Sequence, residues 1–256
     1  MPHFSSDELF NFLISEAQAH FSGWDFSYIE GREDQAPLRW SYISEALLRV
    51  RKSQAVLDMD TGGGEMFARF APFPAVACAT EAYAPNVPIA RERLTPLGVR
   101  VVALDEDEPR QLPFDSDSFD LILNRHGYYW EPELYRLLKP GGIFLTQQVG
   151  DRNDIGIREL LGAPDAEVNI EWADLAEAAA NLQAADFQII KQLEDIYPQR
   201  FYDVGAIVYQ LKAIPWQIPD FSVERYFDRL KAIHEKIQRD GFVDVLEHRF
   251  LIIAGK

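Results

Sequence analysis

Hydrophobic positions change their spacing along this chain. Between Gln54 and Gln148, short apolar runs at 54–59, 76–81, 99–105, 119–124 and 143–148 alternate with helical periodicity near 64–70, 86–97 and 131–138. Mainly apolar runs of this length suit strands covered on both faces, and strand–helix alternation with short connections implies a parallel sheet built from crossover units. The helix at 131–138 is the best punctuated, with Pro132 in its first turn, Lys139 at its end and Pro140-Gly141-Gly142 beyond.

The flanking segments read differently. Ser5–Glu8 has the form of a capping box, opening a helix through Leu9, Phe10, Leu13 and Ala17, and a second helix is expected over 41–51. Between them, Phe21 to Trp40 is too polar for a strand and unusually aromatic, with Trp24, Tyr28 and Trp40. After Val149 the pattern predicts a helix near 172–184, a strand near 187–195, and helices over Phe201–Leu211 and Ser222–Arg239. The last of these aligns Val223, Tyr226, Phe227, Leu230, Ile233 and Ile237 on one face. A final strand is expected over Glu247–Ala254.

The sharpest chemical signal is Ala55-Val-Leu-Asp58-Met-Asp60-Thr-Gly62-Gly63-Gly64-Glu65, a strand running through a glycine turn into a helix. Such a turn exposes backbone N–H groups to a polar ligand without side chains in the way. A dinucleotide fingerprint starting at Gly62 needs glycine or alanine where Phe67 stands, and a phosphate loop needs Lys where Glu65 would repel a triphosphate. Both readings fail.

The turn resembles motif I of class I S-adenosylmethionine-dependent methyltransferases, Asp-x-Gly-x-Gly-x-Gly, with Asp58, Gly62 and Gly64 in register and Asp60 in place of the first glycine. Three further segments follow in order. Val76–Glu81 is a buried strand ending in an acid 23 positions after Asp58, Leu112–Asn124 resembles the family's "LPF…SFD" stretch, and Leu138–Thr146 resembles its "LKPGG" turn. The joint likeness covers roughly residues 54–148 and points to the type 11 group.

The resemblance implies an α/β fold: a Rossmann-like, seven-stranded, mostly parallel sheet with helices on both faces. N-terminal helices (1–51), a cofactor-binding core (52–150) and a C-terminal half (151–256) would form one domain, with a helical insertion near 200–240 as a candidate cap before an antiparallel last strand. It implies S-adenosylmethionine as cofactor, S-adenosylhomocysteine as product, and a site between the strands at 54–59 and 119–124. Gly62, Gly63 and Gly64 would approach the methionine part, and Glu81 would hold the ribose. Asp105 or Glu106 would lie beside the adenine, Asp58 would orient the turn and favour the cofactor's positive charge, and Asn124 ends a strand at the same site. The Asp60 carboxylate either helps bind the cofactor's cationic groups or weakens affinity.

The family places acceptor-facing residues just after the strand at 119–124, here Asn124-Arg125-His126-Gly127-Tyr128-Tyr129-Trp130. His126 is the candidate general base, because imidazole titrates near neutral pH. Arg125, Tyr128 and Gln148 are candidate acceptor contacts, with one of Gln147 and Gln148 expected to face the pocket. Trp24, Tyr28 and Trp40 either dock the N-terminal helices or form a lid over the acceptor.

Composition narrows the partners. With 25 basic against 41 acidic residues the net charge is −16, a field that repels nucleic acid and anionic lipid. The single cysteine, Cys78, sits in a predicted buried strand, so a disulfide within the chain is excluded, and no His/Asp/Glu spacing suggests a metal. No apolar run approaches 18 residues, and Asp7 and Glu8 stand where a signal peptide carries basic residues, so a cytoplasmic protein without a membrane span is expected. The expected activity is methyl transfer to a small or medium-sized organic acceptor. RNA or protein methylation and a non-catalytic scaffold are the alternatives, and the oligomeric state stays open.

Overall fold

The computed structural model describes residues 4–22, 25–105, 111–153, 155–163 and 174–256. The elements begin with α1 (Ser6–Ala17), β1 (Glu33–Gln35), α2 (Tyr42–Val50), β2 (Ala55–Met59), α3 (Glu65–Ala68) and β3 (Val76–Glu81). Next come α4 (Asn86–Leu94), β4 (Arg100–Ala103), β5 (Phe119–Arg125), α5 (Glu131–Leu137) and β6 (Leu138–Val149). The chain continues through α6 (Ile155–Leu161), α7 (Leu175–Ala184), β7 (Gln188–Phe201), α8 (Val204–Ala213), α9 (Val223–Asp240) and β8 (Val243–Gly255). Neighbouring strands follow the order β1-β7-β8-β6-β5-β2-β3-β4.

Two compact units are distinguished. One comprises Met1–Leu38, Asp151–Ile170 and Ile196–His248, the other Arg39–Gly150, Glu171–Asp195 and Arg249–Lys256. In the second unit β2 pairs in parallel with both β3 and β5, β3 with β4, and β5 with β6. The last half of β8 runs antiparallel to β6, from Ile143↔Gly255 to Val149↔Arg249. Every residue of β2 is buried, as expected of a central strand flanked on both sides. Cys78 is also buried. The core gathers Val56, Phe67, Phe70, Ala79, Leu94, Leu121, Leu123, Leu145 and Leu251.

Three side chains lock this sheet. Asp120 accepts hydrogen bonds from the backbone of Gln54 and Ala55, both at 3.0 Å, and so fixes where β2 begins. Glu133 on α5 accepts from Leu112 N–H at 2.8 Å, while Arg136 donates to Phe114 O at 2.8 Å, tying the loop before β5 to the helix after it.

The first unit is mainly helical. Ser5 and Glu8 form the reciprocal capping box that opens α1. Leu9, Leu13, Ile157, Leu161, Ile207, Leu211, Tyr226, Leu230 and Ile233 build one core from α1, α6, α8 and α9. Arg32 is held by Asp203, at 2.8 and 2.7 Å, and by Glu16 at 2.9 Å.

Several expectations are corrected. The sheet has eight strands rather than seven, because Glu33–Gln35 inside the irregular aromatic segment pairs antiparallel with Gln199–Phe201. That pairing prolongs β7 through Phe201, so α8 starts at Val204, where Asp203 caps it by accepting from Ala206 N–H. Strand β6 starts at Leu138, directly after α5, instead of beyond the Pro-Gly-Gly turn. Helix α6 has no counterpart in the hydrophobic pattern, since seven residues including a glycine carry too weak a period and depend on burying Ile157 and Leu161. Among the described residues no helix is long and apolar enough to cross a membrane.

Candidate functional site

The neighbour order reverses at β2, with β3 and β4 on one side and β5 and β6 on the other. In open α/β sheets the crevice at the carboxyl ends of such a pair is where ligands bind. Met59 lies opposite Asn124, and Asp58 lies opposite both Leu123 and Ala79, so extending the register sets Asp60 level with Glu81. Glycine turn, two acids of β2 and its exit, and the acid closing β3 therefore meet at one sheet end.

The turn is held by bonds within itself and to β3 and α4. Thr61 N–H donates to Thr80 O at 2.9 Å, Gly64 N–H to Thr61 O at 3.0 Å, and the Thr61 hydroxyl to Asp58 Oδ2 at 2.6 Å. Arg93 of α4 donates to Gly63 O and pairs with Glu65. Gly62 and Gly64 both have left-handed backbone, with φ of 63° and 79°. A Cβ on Gly62 would meet nothing within 4 Å, so its backbone faces open space, whereas one on Gly64 would lie 2.8 Å from Leu94. Gly64→Ala is expected to destabilise the protein by about 2–4 kcal/mol, combining left-handed strain with overpacking. Gly62→Ala should cost about 1–2 kcal/mol from strain alone. Urea unfolding of the two variants checks this, and equal midpoints would refute the packing account.

Asp60 is the departure from the family motif, and its geometry explains how the turn accepts it. Its φ is 53°, a region that Asp tolerates better than most side chains. The carboxylate turns toward the segment after β5, where Oδ2 accepts from Tyr128 N–H at 2.9 Å. A Cβ on Gly127 would lie 2.5 Å from Asp60 Cβ, so only glycine leaves room for this approach. The charge is thereby committed to joining the two halves of the sheet end.

Asp58, Asp60 and Glu81 concentrate negative charge in a desolvated place. Asp58 and Glu81 are 7% and 5% exposed. Burial pushes Asp58 up to about 7, opposed by the Thr61 hydroxyl and Arg125 and reinforced by the charges of Asp60 and Glu81. Burial and Glu81 raise Asp60 to about 6, against the Tyr128 N–H. Glu81 Oε1 accepts from Tyr83 N–H at 2.8 Å, which orients its carboxylate. Asp105 is exposed just beyond β4, and its neighbour Leu104 donates to Glu81 O at 2.9 Å. Glu106 lies outside the described residues.

A polar network closes the other wall. Asn124, fully buried, accepts from Thr146 Oγ1 at 3.0 Å and Gln148 Nε2 at 2.6 Å, and its amide nitrogen lies 3.5 Å from Met59 O and 3.4 Å from Tyr128 O. Gln148 also reaches Gly127 O at 3.0 Å. On the neighbouring position, Gln147 accepts from Trp40 Nε1 at 2.9 Å and sets its amide nitrogen 3.3 Å from His126 Nε2. His126 has φ of 62° and keeps part of its surface open. Burial, with the charges of Arg125 and Arg249, holds its pKa well below the ordinary imidazole value.

The structure thus brings together Asp58, Asp60, Gly62, Gly63, Gly64, Glu81, Asn124, Tyr128 and Gln148, with Trp40 and His126 joined through Gln147. Arg125 acts on Asp58 and His126 through its charge. Tyr28 belongs to the other unit, where its hydroxyl donates to Glu16 at 3.3 Å and its ring lies 4.6 Å from that of Tyr209. Trp24 lies outside the described residues. Sequence reasoning passed over Thr61, Thr80, Thr146 and Gly127. Single threonines and glycines are too common for pattern alone to mark these.

Residues 57–146 match the family model described as a methyltransferase domain. A search of curated proteins finds no match. Among solved structures, a Bacillus halodurans C-125 protein provisionally called a methyltransferase superposes with TM-score 0.60 at 19% identity, covering 85% of this chain and 99% of its own. The YcgJ protein of Bacillus subtilis gives TM-score 0.55 at 20% identity, covering 84% and 97%. A complex of the Haloferax volcanii Trm112 methyltransferase activator with a protein provisionally called a methyltransferase gives 0.52 at 17%, covering 95% of each chain. Identities this low carry the fold alone. The match to a methyltransferase domain spans the strands and turns that build the site, and the solved structures share the fold around it.

Proposed function

We propose that this enzyme transfers the methyl group of S-adenosylmethionine to a small or medium-sized organic acceptor by in-line displacement. The observation that carries the reading is the group of Asp58, Asp60 and Glu81 around the open backbone at Gly62, at the switch point of the sheet. Desolvated carboxylates stabilise a cationic ligand far better than exposed ones do. Exposed glycine backbone suits the polar end of an amino-acid ligand. The residues present therefore fit S-adenosylmethionine, whose sulfonium supplies an activated methyl carbon.

In this reading Gly62, Gly63 and Gly64 approach the methionine part, Glu81 accepts from the ribose hydroxyls, and Asp105 or Glu106 flanks the adenine. Asp58 sets the turn through Thr61 and contributes negative potential. Asp60 works indirectly, tying Tyr128 and the acceptor side to the cofactor turn. Asn124 and Gln148 hold the segment 126–128, whose side chains, with Arg125 and Tyr128, meet the acceptor. Methyl transfer needs donor and acceptor in line near 3 Å with water excluded, so fixed positioning by buried hydrogen bonds supplies much of the rate.

The net charge of −16 weighs against RNA as acceptor. Two measurements test the proposal. Calorimetry with S-adenosylhomocysteine should show micromolar binding, and its absence would leave a scaffold role. Incubation of the enzyme and methyl-labelled cofactor with a fractionated cell extract should then label the small-metabolite fraction. Label confined to RNA or protein would overturn the acceptor class.

A further inference from the structure

His126 sits where a proton acceptor for the transfer would be sought, and two neighbouring side chains decide which of its nitrogens carries the proton. An indole Nε1 is a donor only. Its bond to Gln147 Oε1, at 2.9 Å from Trp40, therefore fixes which end of the Gln147 amide is oxygen. The opposite end is then NH₂, also a donor only, and it faces His126 Nε2 at 3.3 Å. That contact is a hydrogen bond only if Nε2 bears the lone pair. The other tautomer, like the imidazolium, would set two N–H groups head to head.

We propose that Trp40, acting through Gln147, holds His126 as the neutral imidazole protonated on Nδ1, so that this wall of the site donates a hydrogen bond to the acceptor and does not take its proton. Among the described residues no protein group bonds to Nδ1, and the residue is not wholly enclosed. The ring is fixed from its backbone too, since His126 N–H donates to Gln147 O at 2.9 Å. The charged groups that act on it, Arg125 at the end of β5 and Arg249 on β8, are both cationic and oppose a second proton. Desolvation acts in the same direction. Trp40 and Gln147 are positioning residues. The acceptor accordingly presents a hydrogen-bond-accepting atom, such as a carbonyl or carboxylate oxygen, to Nδ1–H. The acceptor role assigned to His126 rests on the proposed methyl transfer, whereas its tautomer does not.

Long-range proton–nitrogen correlation spectra of the full chain with ¹⁵N-labelled histidine test this directly. The chain has 5 histidines, and the His126 pattern is the one lost in His126→Asn, a residue that tolerates its left-handed backbone. The expected wild-type pattern is a protonated Nδ1 and an unprotonated Nε2, unchanged over about pH 5.5–8, the range in which an ordinary imidazole titrates. A pattern with the proton on Nε2, or conversion to imidazolium within that range, overturns the proposal. In Trp40→Phe the amide is released to turn, and a mixture of tautomers should replace the single one. In Gln147→Glu the group facing Nε2 becomes an acceptor, and His126 should move to the Nε2-protonated or charged form. Retention of the wild-type pattern in both variants would show that something other than this relay sets the tautomer. S-adenosylhomocysteine titrated into the same wild-type sample separates the two readings: no binding sinks the methyl-transfer proposal and leaves the tautomer result standing.

Discussion

Replacing Asp58 by Asn should stabilise the protein at pH 8 by on the order of 2–4 kcal/mol and change its stability little below about pH 4. The folded carboxyl ionises near 7, whereas in the unfolded chain it ionises near its ordinary value of 3.8. Between those pH values the folded protein binds a proton that the unfolded chain has released, so stability falls as pH rises and the loss is complete above about 7. Asparagine keeps an oxygen for the Thr61 hydroxyl but carries no charge to desolvate. Urea unfolding at acid and alkaline pH would check the expectation, and an equal change at both would assign the effect to packing. Asp60, raised to about 6 by burial and the charge of Glu81, adds a smaller loss of the same sign. A carboxylate that weakens the fold at the pH where it is ionised is consistent with the cationic ligand proposed for this site.

Glu81→Ala should weaken S-adenosylhomocysteine binding roughly 10- to 100-fold, corresponding to about 1–3 kcal/mol for the loss of a buried hydrogen-bond partner. The carboxylate is 5% exposed and is oriented by Tyr83 N–H at 2.8 Å, so little side-chain entropy remains to be lost on binding. Glu81→Gln retains an acceptor for Tyr83 and removes only the charge, and its affinity should fall between those of the wild type and Glu81→Ala. Calorimetry supplies the dissociation constants. Identical constants for all three proteins would remove Glu81 from the ligand's surroundings and with it the proposed ribose contact.

The parts of the site legible in the sequence are those written in contiguous residues. Asp58, Gly62 and Gly64 fall within seven consecutive residues of one turn, and Glu81 closes an apolar run that reads as a buried strand. The Asp60 question needed the fold. Its carboxylate answers to Tyr128, 68 positions away, across a gap that exists only because residue 127 lacks a side chain. The link from Trp40 to His126 runs through Gln147, 107 positions from the first and 21 from the second, and no spacing rule predicts it.

Local physics, then, is what the chain states outright. Hydrophobic period and capping residues determined α1, α2, α5, α9 and the parallel core strands, because burial of one face and closure of one turn depend on residues close in sequence. Tertiary structure alone decided β1, the extension of β7, α6 and the hydrogen-bond partners of Asp60, Gln147 and His126. These features are stabilised by groups far apart along the chain, and their energies come into being only once the sheet has set those groups side by side.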